Sequence, residues 1–568
     1  MTDINITGKG KEQNTFDAIV IGSGITGGIA AKELTEKGLK VLLLERGRMV
    51  EHLKDYKYAT TDPWDLPYRN IVPPEQLHDY DVQKKLYLFA QDSKDFLVKD
   101  SDHPYVQEKP FQWFRGYQVG GRSLLWSKHC YRWHERDFES NKLEGIGTDW
   151  PIRYNDIAPW YSHIEKYVGI SGNRDGLPQV PDGEYLPPFD MNIMDKHLQK
   201  RIKEQFPERD LIIGRMAILT EDHNGRQRCH GRNLCHRGCI FGAPYSSNSG
   251  AIPDAAKTGN LTLRPFSIVA SLIYDRDKRK IAGVNIIDSE TKETTQYFAR
   301  IVFLNASTLG STQILLQSKT EDFPEGLANS SGALGHYLMD HHAGIGAMAG
   351  YSGFKNSYYI GERPASVYIP RFVNLHKNDK NYLRGFGFEN YTSRGDWTRG
   401  LNQAGVGAEW KEELTKPGDW FVYFEAYGET LPVYDNKVSL DPVKKDKWGL
   451  PLLNISMAYG ENERKMREDM KQSAIEMLEA AKLDWVTSFD YDAPPGSVIH
   501  EMGTARMGND PKTSVLNKWN QAHDIDNLFV TDGSCMASTA CQNPSLTYMA
   551  LTARACDYAV KKMEKKEL

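Results

Sequence analysis

The segment from Phe16 to Arg46 constrains the fold of this chain more than any other. It reads FDAIVIGSGITGGIAAKELTEKGLKVLLLER, in which an apolar run meets a GxGxxG turn, a helical pattern follows, and a second apolar run ends in an acid. Short apolar runs bounded by glycine are typical of buried parallel strands. The order of strand, glycine-rich turn, helix, strand and acid predicts a βαβ unit that binds a dinucleotide.

Each conspicuous residue of this unit has a physical role. Gly22 permits the tight turn, Gly24 lets a pyrophosphate approach the backbone, and Gly27 lets the helix pack closely on the strand. The N-terminus of the helix then faces the phosphates with free N–H groups. Glu45 can accept hydrogen bonds from a ribose diol. The unit by itself does not distinguish FAD from NAD.

Composition excludes several classes of protein. The chain has 568 residues, 40% of them hydrophobic and 26% charged, with a formal net charge of −5. This balance is ordinary for a globular protein and does not favour nucleic acid or an anionic membrane surface as partner. No apolar run approaches the roughly 18 residues that span a bilayer. The first 15 residues lack the apolar stretch of a signal peptide, so we expect none.

The pattern of the chain changes twice after the nucleotide unit. Segments with alternating polarity recur between residues 343 and 460 and indicate a mostly antiparallel sheet, which a helix at Glu461 to Lys482 closes. Residues 490–568 return to glycine-rich turns, with one apolar strand at Leu528 to Val530 and a final helix from Ser545. Earlier, the stretch from Leu261 to Ile273 alternates like a strand.

Two polar residues near the C-terminus are candidates for chemistry. His500 has an ordinary pKa of about 6.5, which suits a general base at neutral pH. Asn543 could hold a substrate hydroxyl or help to position the base. Each residue also has a purely structural explanation. His500 could be a structural histidine, and an Asn before Pro544 and Ser545 is common at the start of a helix.

Three of the seven cysteines crowd into one loop. Cys229, Cys235 and Cys239 have C-x5-C-x3-C spacing, so that three thiolates could converge on one centre. Three hypotheses compete: a zinc site with His230 or His236 as fourth ligand, a disulfide with one free thiol, and an iron–sulfur cluster of the three-iron form.

Taken in order, the motifs resemble one family over nearly the whole chain. They are Gly22 to Glu45, Val119-Gly-Gly-x-Ser123, Asp446-x-Trp448-Gly449-x-Pro451, His500-x-x-Gly503-Thr504, Thr531-Asp532-Gly533 and Asn543-Pro544-x-Leu546-Thr547. Together they closely resemble the glucose–methanol–choline (GMC) oxidoreductases, a family of FAD enzymes.

The resemblance implies a fold and a division of the chain. It implies an α/β, Rossmann-like FAD-binding domain and a second, α+β substrate domain built on a mostly antiparallel sheet. We expect the FAD-binding domain at residues 12–342, with the cysteine loop at 225–242, and the substrate domain at 343–489. Residues 490–568 would return to the FAD-binding domain and carry the catalytic pair.

The resemblance also assigns residues. It makes His500 and Asn543 the catalytic pair, with His500 taking the proton of a substrate hydroxyl while hydride leaves the same carbon for the flavin. Some relatives attach FAD through a histidine just after the Gly-Gly-x-Ser turn, where this chain has Leu125, so we expect non-covalent FAD. The implied FAD contacts are Gly22, Gly24, Thr26, Gly27, Glu45, Gly120, Gly121, Ser123, Val269, Asp532, Gly533, Asn543 and Ser545.

The cysteine spacing resembles that of a GMC subgroup, the FAD-dependent glucose and glucoside dehydrogenase complexes. In that subgroup the three cysteines, here Cys229, Cys235 and Cys239, hold a [3Fe-4S] cluster that passes electrons to a cytochrome c subunit. A small companion subunit typically carries the export signal. The resemblance therefore implies a sugar dehydrogenase that produces a 3-keto-glucoside and is periplasmic by co-export, with a cytoplasmic location as the alternative.

Other functions stay open at this point. They are a glucose 1-dehydrogenase that gives gluconolactone, an oxygen-using sugar oxidase with a structural zinc loop, and a non-catalytic flavoprotein scaffold. Aromatic and amide side chains of the second domain suit sugar binding, although core packing explains the aromatic ones equally well. These side chains are Trp397, Asn402, Gln403, Trp410, Trp420, Tyr423 and Tyr427.

Overall fold

The computed structural model describes residues 14–357, 366–401 and 403–568, in which helices pack around three β-sheets. The expected role of Asn402 therefore lies outside the described residues, as do the first 13 residues. The strands are β1 (Thr15–Ile21), β2 (Val41–Leu44), β3 (Val106–Gln107), β4 (Ile212–Ile213), β5 (Leu261–Arg264), β6 (Ser267–Asp275), β7 (Lys280–Asp288), β8 (Thr294–Leu304), β9 (Ile345–Tyr351), β10 (Val367–Ile369), β11 (Phe386–Arg394), β12 (Trp420–Gly428), β13 (Lys437–Lys445), β14 (Pro451–Ser456), β15 (Trp485–Asp490) and β16 (Leu528–Val530).

The helices vary from single turns to long elements, and short 3-10 turns lie between them. The helices are α1 (Ile25–Glu36), α2 (Pro74–Leu77), α3 (Ser140–Glu144), α4 (Tyr154–Val168), α5 (Ile193–Gln205), α6 (Ala251–Lys257), α7 (Thr308–Gln317), α8 (Ala408–Thr415), α9 (Glu461–Ala480) and α10 (Ser545–Glu564). Within the described ranges, no helix combines the length and the apolar character needed to cross a membrane.

The first sheet has the strand order β5-β2-β1-β8-β7-β6. Strands β1, β2 and β5 run parallel, and β1 also runs parallel to β8. Residues Ala18–Ile21 and Val41–Leu44 are all buried, as their continuous apolar runs predict. The strands β6, β7 and β8 form an antiparallel extension. The predicted βαβ unit is thus confirmed.

The C-terminal segment completes this first sheet. β16 pairs in parallel with the last three residues of β8, beyond the first part of β8, which pairs with β7. α10 then packs against α1 and α4. As a consequence, the turns that follow β1, β8 and β16 meet at one edge of the sheet, which is where ligands bind in open α/β sheets.

The second sheet has the order β15-β9-β12-β11-β10-β4 and is antiparallel throughout. Along β12 the residues alternate between buried and partly exposed. The buried set, with Val422 and Phe424, forms a core with Met466, Met470 and Met477 of α9. The opposite face, with Tyr423 and Glu425, is partly exposed. The predicted antiparallel sheet and α/β architecture are confirmed, whereas the domain boundaries stay a prediction.

One expected strand is interrupted. The stretch from Leu261 to Ile273 forms two strands, β5 and β6, which lie at opposite ends of the first sheet. The break falls at Pro265, which has no N–H to donate to a ladder, and at Phe266, whose φ is 56°. Alternation alone could not show that the chain leaves one edge of the sheet here and enters the other.

The helix of the nucleotide unit packs on its strand at Gly27, and this contact tolerates no side chain. A Cβ atom on Gly27 would lie 1.8 Å from the Gly22 carbonyl oxygen, whereas one on Gly395 would lie 3.4 Å from its nearest neighbour, an ordinary contact. We expect Gly27→Ala to lower the free energy of unfolding by about 1–3 kcal/mol or more. Gly395→Ala should change it by less than about 0.5 kcal/mol. Urea unfolding of both variants measures the difference; equal stabilities would contradict the contact.

Candidate active site

A large cavity lies between the carboxyl edge of the first sheet and the open face of the second. Its volume is about 1130 Å3. That exceeds the range of about 300–1,000 Å3 common for one drug-sized ligand. The cavity therefore has room for a dinucleotide together with a small substrate.

Most of the residues assigned to FAD line this cavity. Gly27 and Gly120 do not line it and act by packing instead, since a Cβ atom on Gly120 would lie 1.6 Å from the Asn248 side chain. The lining set comprises Gly22, Gly24, Thr26, Glu45, Gly121, Ser123, Val269, Asp532, Gly533, Asn543 and Ser545.

The start of α1 has the features of a phosphate cradle. Gly24 occupies the N-cap position, no side chain caps the helix, and its first turn holds no acid. A Cβ atom on Gly24 would meet no protein atom within 4 Å, so the backbone here is open to a ligand. Free N–H groups and the positive end of the helix dipole favour a pyrophosphate at this point.

Two buried carboxylates flank the cradle. Glu45 accepts hydrogen bonds from the Ser23 hydroxyl at 2.6 Å and from the Gly47 N–H at 2.9 Å, and burial raises its pKa. Asp532 accepts from the Ser534 N–H at 3.0 Å and from the Ser311 hydroxyl. Each carboxylate retains lone pairs for ligand hydroxyls. The cradle and these two acids fit the phosphates and the hydroxyl-bearing parts of a dinucleotide such as FAD.

The predicted catalytic pair faces the same cavity. Both His500 and Asn543 line it, and the buried Asn543 Oδ1 has no hydrogen-bond partner within the described residues. His500 Nδ1 lies 2.9 Å from Nδ1 of His341. Burial, together with His341 and Arg122, lowers the pKa of His500 well below 6.5, so the ring is neutral at pH 7. A neutral imidazole beside a dinucleotide cradle is equipped to accept a proton.

The segment before β9 supports this pair, and sequence reasoning did not single it out. Asp340 accepts hydrogen bonds from the N–H groups of Gly496 at 2.8 Å and His500 at 3.0 Å. Burial and the charge of Glu501 raise the pKa of Asp340 to about 7. The run Asp340-His341-His342, charged and polar between apolar neighbours, was the available signal in the sequence.

The open face of the second sheet forms the other end of the cavity. Glu389 and Glu425 lie opposite each other across β11 and β12, and Tyr391 lies opposite Tyr423 in the same register. Glu389 also lies 3.2 Å from His129 Nδ1. Burial raises the pKa of Glu425 to about 7, and the charge of Glu389 adds to the effect. This end combines aromatic faces with hydrogen-bond acceptors.

Some of the side chains expected to bind sugar line the cavity, and others do not. Tyr423 and Tyr427 line the cavity, whereas Trp420 belongs to the core, with 1% of its surface exposed. Trp397 is exposed, and neither it nor Trp410 or Gln403 lines the cavity. Alternation along β12 decides the difference, because Tyr423, Glu425 and Tyr427 lie on the face that lines the cavity and Trp420 lies on the buried face.

The cysteine loop does not form a metal site in the described part of the chain. Cys229, Cys235 and Cys239 are free and partly exposed, and no group of three or more His, Cys, Asp or Glu side chains there is arranged to hold a metal ion. His230 packs on Phe241, and His236 lies 3.6 Å from Asp92. The structure thus supports neither the expected [3Fe-4S] cluster nor the zinc alternative, and all seven cysteines are unpaired.

The loop nevertheless lies close to the cavity wall. A small gap is lined by Cys235 and Cys239 on one side and by Ser123 and Leu124 on the other. Ser123 also lines the large cavity. The thiols and the expected flavin turn are therefore neighbours in space, although about 110 residues of sequence separate them.

Comparison with known proteins agrees with this geometry. Family models described as GMC oxidoreductase match residues 16–343 and 432–552. The chain is 30% identical to 2-methyl-1,2-propanediol dehydrogenase of Mycolicibacterium austroafricanum, over 95% of this chain and 94% of that protein. It is 27% identical to the fructose dehydrogenase large subunit of Gluconobacter japonicus, over 96% and 98%.

A solved structure shares the fold. A formate oxidase variant of Aspergillus oryzae superimposes with a TM-score of 0.62 at 15% identity, covering 98% of this chain and 100% of that one. The chain therefore belongs to the GMC oxidoreductase family and is an FAD-binding oxidoreductase that acts on the CH–OH groups of alcohols or sugars.

Proposed function

We propose that this chain is the catalytic subunit of an FAD-dependent sugar dehydrogenase. It oxidises a ring hydroxyl of a pyranose or glucoside, with carbon 3 preferred, to give a 3-keto-glucoside. The observation that carries the proposal is that His500 and Asn543 line one cavity with both the phosphate cradle and a face of tyrosines and carboxylates.

The chemistry of the chain follows from these side chains. Bound FAD supplies the hydride acceptor. His500, neutral at pH 7, takes the proton of the substrate hydroxyl, which raises the electron density on the carbinol oxygen and eases hydride departure. The Asn543 amide can donate to the same oxygen through its nitrogen, and its unpartnered oxygen can accept from a neighbouring hydroxyl. Leu125 lines the cavity and cannot bond covalently to FAD, so the cofactor is dissociable.

The far end of the cavity supports a sugar as substrate. The rings of Tyr391 and Tyr423 stack with their centroids 5.0 Å apart, and Tyr423 also stacks on Phe489. Both tyrosines line the cavity, where the exposed parts of their rings can pack against the apolar C–H surface of a pyranose. Glu389 and Glu425 offer acceptors for its hydroxyls. Tyr391 is 47% exposed, which marks this end as the entrance to the cavity.

The route of the electrons is the second part of the proposal. We propose that Cys229, Cys235 and Cys239 hold a [3Fe-4S] cluster, that a cytochrome c accepts the electrons, and that a small companion subunit exports the complex to the periplasm. The cysteine spacing and the position of the loop behind the Ser123 turn support the cluster. The relative named as a fructose dehydrogenase large subunit supports an assembly of several subunits. The described side chains themselves do not form the site.

The base is tested by His500→Gln in the holoenzyme. Because His500 accepts the hydroxyl proton, we expect the rate constant for anaerobic flavin reduction by sugar to fall by about 10²–10⁴. FAD per chain should match the parent and serves as the control. Reduction of the variant at the parent rate would refute His500 as the base, whereas a parent flavin that no sugar reduces would indicate a non-catalytic flavoprotein.

In the parent, a depressed pKa keeps the base unprotonated, so activity should persist down to pH 6.5 and fall only below it.

The cluster is tested by iron, zinc and acid-labile sulfide analysis of the protein as isolated, together with EPR. We expect iron and sulfide with the EPR signal of an iron–sulfur cluster, and their loss in Cys235→Ser, because this removes one of three ligands. Cys556→Ser alters a buried thiol in α10 and should keep the iron. Zinc without iron would instead support the oxygen-using oxidase with a structural zinc loop.

A further inference from the structure

His341 contacts the candidate base through an unusual pair of atoms. It is fully buried, and both of its ring nitrogens are engaged. Its Nε2 contacts the carbonyl oxygen of Ala540, and its Nδ1 lies 2.9 Å from His500 Nδ1. When two neutral imidazoles meet nitrogen to nitrogen at this distance, one nitrogen carries the proton and the other accepts it.

The Ala540 carbonyl decides which nitrogen donates. A carbonyl oxygen only accepts, so Nε2 of His341 must carry the proton that lies between them. Burial lowers the pKa of His341 to about 4, and the neutral ring then has no second proton for Nδ1. The Nδ1 of His341 is therefore an acceptor, and His500 must donate to it from its own Nδ1.

We infer that His341 is a positioning residue that holds His500 in the Nδ1–H tautomer and so leaves Nε2 of His500 free to take the substrate proton. His500 lines the cavity, and within the described residues the hydrogen bond of its ring is the one between its Nδ1 and His341. The inference rests on the proposed function, because it matters only if His500 is the base.

The same segment holds the loops that carry both members of the catalytic pair. Asp340 accepts hydrogen bonds from the backbone of Gly496 and His500, which fixes the loop that precedes the base. His341 reaches the carbonyl of Ala540, which lies three residues before Asn543. One dipeptide thus sets the position of the base, its tautomer and its separation from Asn543.

Two substitutions at His341 separate packing from hydrogen bonding. Asn places its Oδ1 near the position of the His Nδ1, so His341→Asn keeps an acceptor for His500. Phe fills the space of the ring but accepts no hydrogen bond. We expect His341→Phe to lower the rate constant for flavin reduction by about 10² or more, and His341→Asn by less than about tenfold; a wrong tautomer costs up to about 10⁴ in the serine proteases.

His342→Phe is the matched control. His342 is adjacent and fully buried, its ring nitrogens have no hydrogen-bond partner within the described residues, and it does not line the cavity. The same substitution there should leave flavin reduction and FAD content near the parent values. Equal losses in the two Phe variants would indicate damage to the segment and overturn the inference.

A direct readout of the tautomer is 15N NMR of the oxidised holoenzyme labelled in histidine, with His500 assigned by difference from His500→Gln. The parent should show Nδ1 protonated and Nε2 bare, and His341→Phe should show a mixture or the reverse. The spectra should be taken at several pH values, because Asp340, Arg122, His129 and Glu501 also surround the ring. A parent His500 protonated at Nε2 would overturn the inference even if His341→Phe does not fold.

The His500 and His341 variants together distinguish failure of the proposed function from failure of the role of His341. If no sugar reduces the flavin of the parent, the proposed function fails. If sugar reduces the flavin of the parent and of His500→Gln equally fast, His500 is not the base and the role of His341 falls with it. If His500→Gln is slow while His341→Phe reduces its flavin at the parent rate, His500 remains the base and only the role of His341 is refuted.

Discussion

The pairing of β8 with β1 on one side and β16 on the other is the interaction on which the active site depends. Val20 lies opposite Phe303, and Phe303 lies opposite Phe529, whose ring stacks on it with centroids 4.9 Å apart. All three strands run parallel, and their paired residues at 18–21, 301–304 and 528–530 are buried. Their following turns therefore meet at one edge, and residues from the two ends of the chain form one site.

The second sheet faces this edge and closes the cavity on the opposite side. A dinucleotide cradle alone is open to water, but the face of β11 and β12 closes the cavity with tyrosines and two carboxylates. Removal from water explains the electrostatics of the site, since it lowers the pKa of His500 and raises that of Glu425 to about 7. The same enclosure keeps the base neutral and presents acceptors to a polyhydroxylated substrate.

Much of the fold could be predicted from local sequence patterns. Continuous apolar runs and glycine spacing were enough to predict β1, α1 and β2, and alternation was enough to predict the antiparallel sheet. These signals depend on neighbours in sequence. The division of the predicted strand into β5 and β6 at Pro265 could not be predicted, because alternating polarity does not indicate which edge of a sheet a strand joins.

Less of the active site could be predicted from the sequence. His500 and Asn543 could be singled out by chemistry and motif, but the contact of His341 with His500 joins residues that are 159 positions apart and depends on tertiary structure. Glu389 and Glu425 face each other only because of the register of β11 and β12. The cysteine spacing, conversely, predicted a convergence of thiols that the described side chains do not show.

The central claim is that the cavity oxidises a sugar and passes the electrons to an acceptor other than oxygen. Anaerobic mixing of the holoenzyme with a glucoside, followed by division of the sample between air and an artificial one-electron acceptor, tests it most directly. We expect that the sugar bleaches the flavin, that the flavin colour returns quickly only with the acceptor, and that NMR places the product carbonyl at carbon 3. Rapid return of colour in air alone, or no bleaching by any sugar, would contradict it.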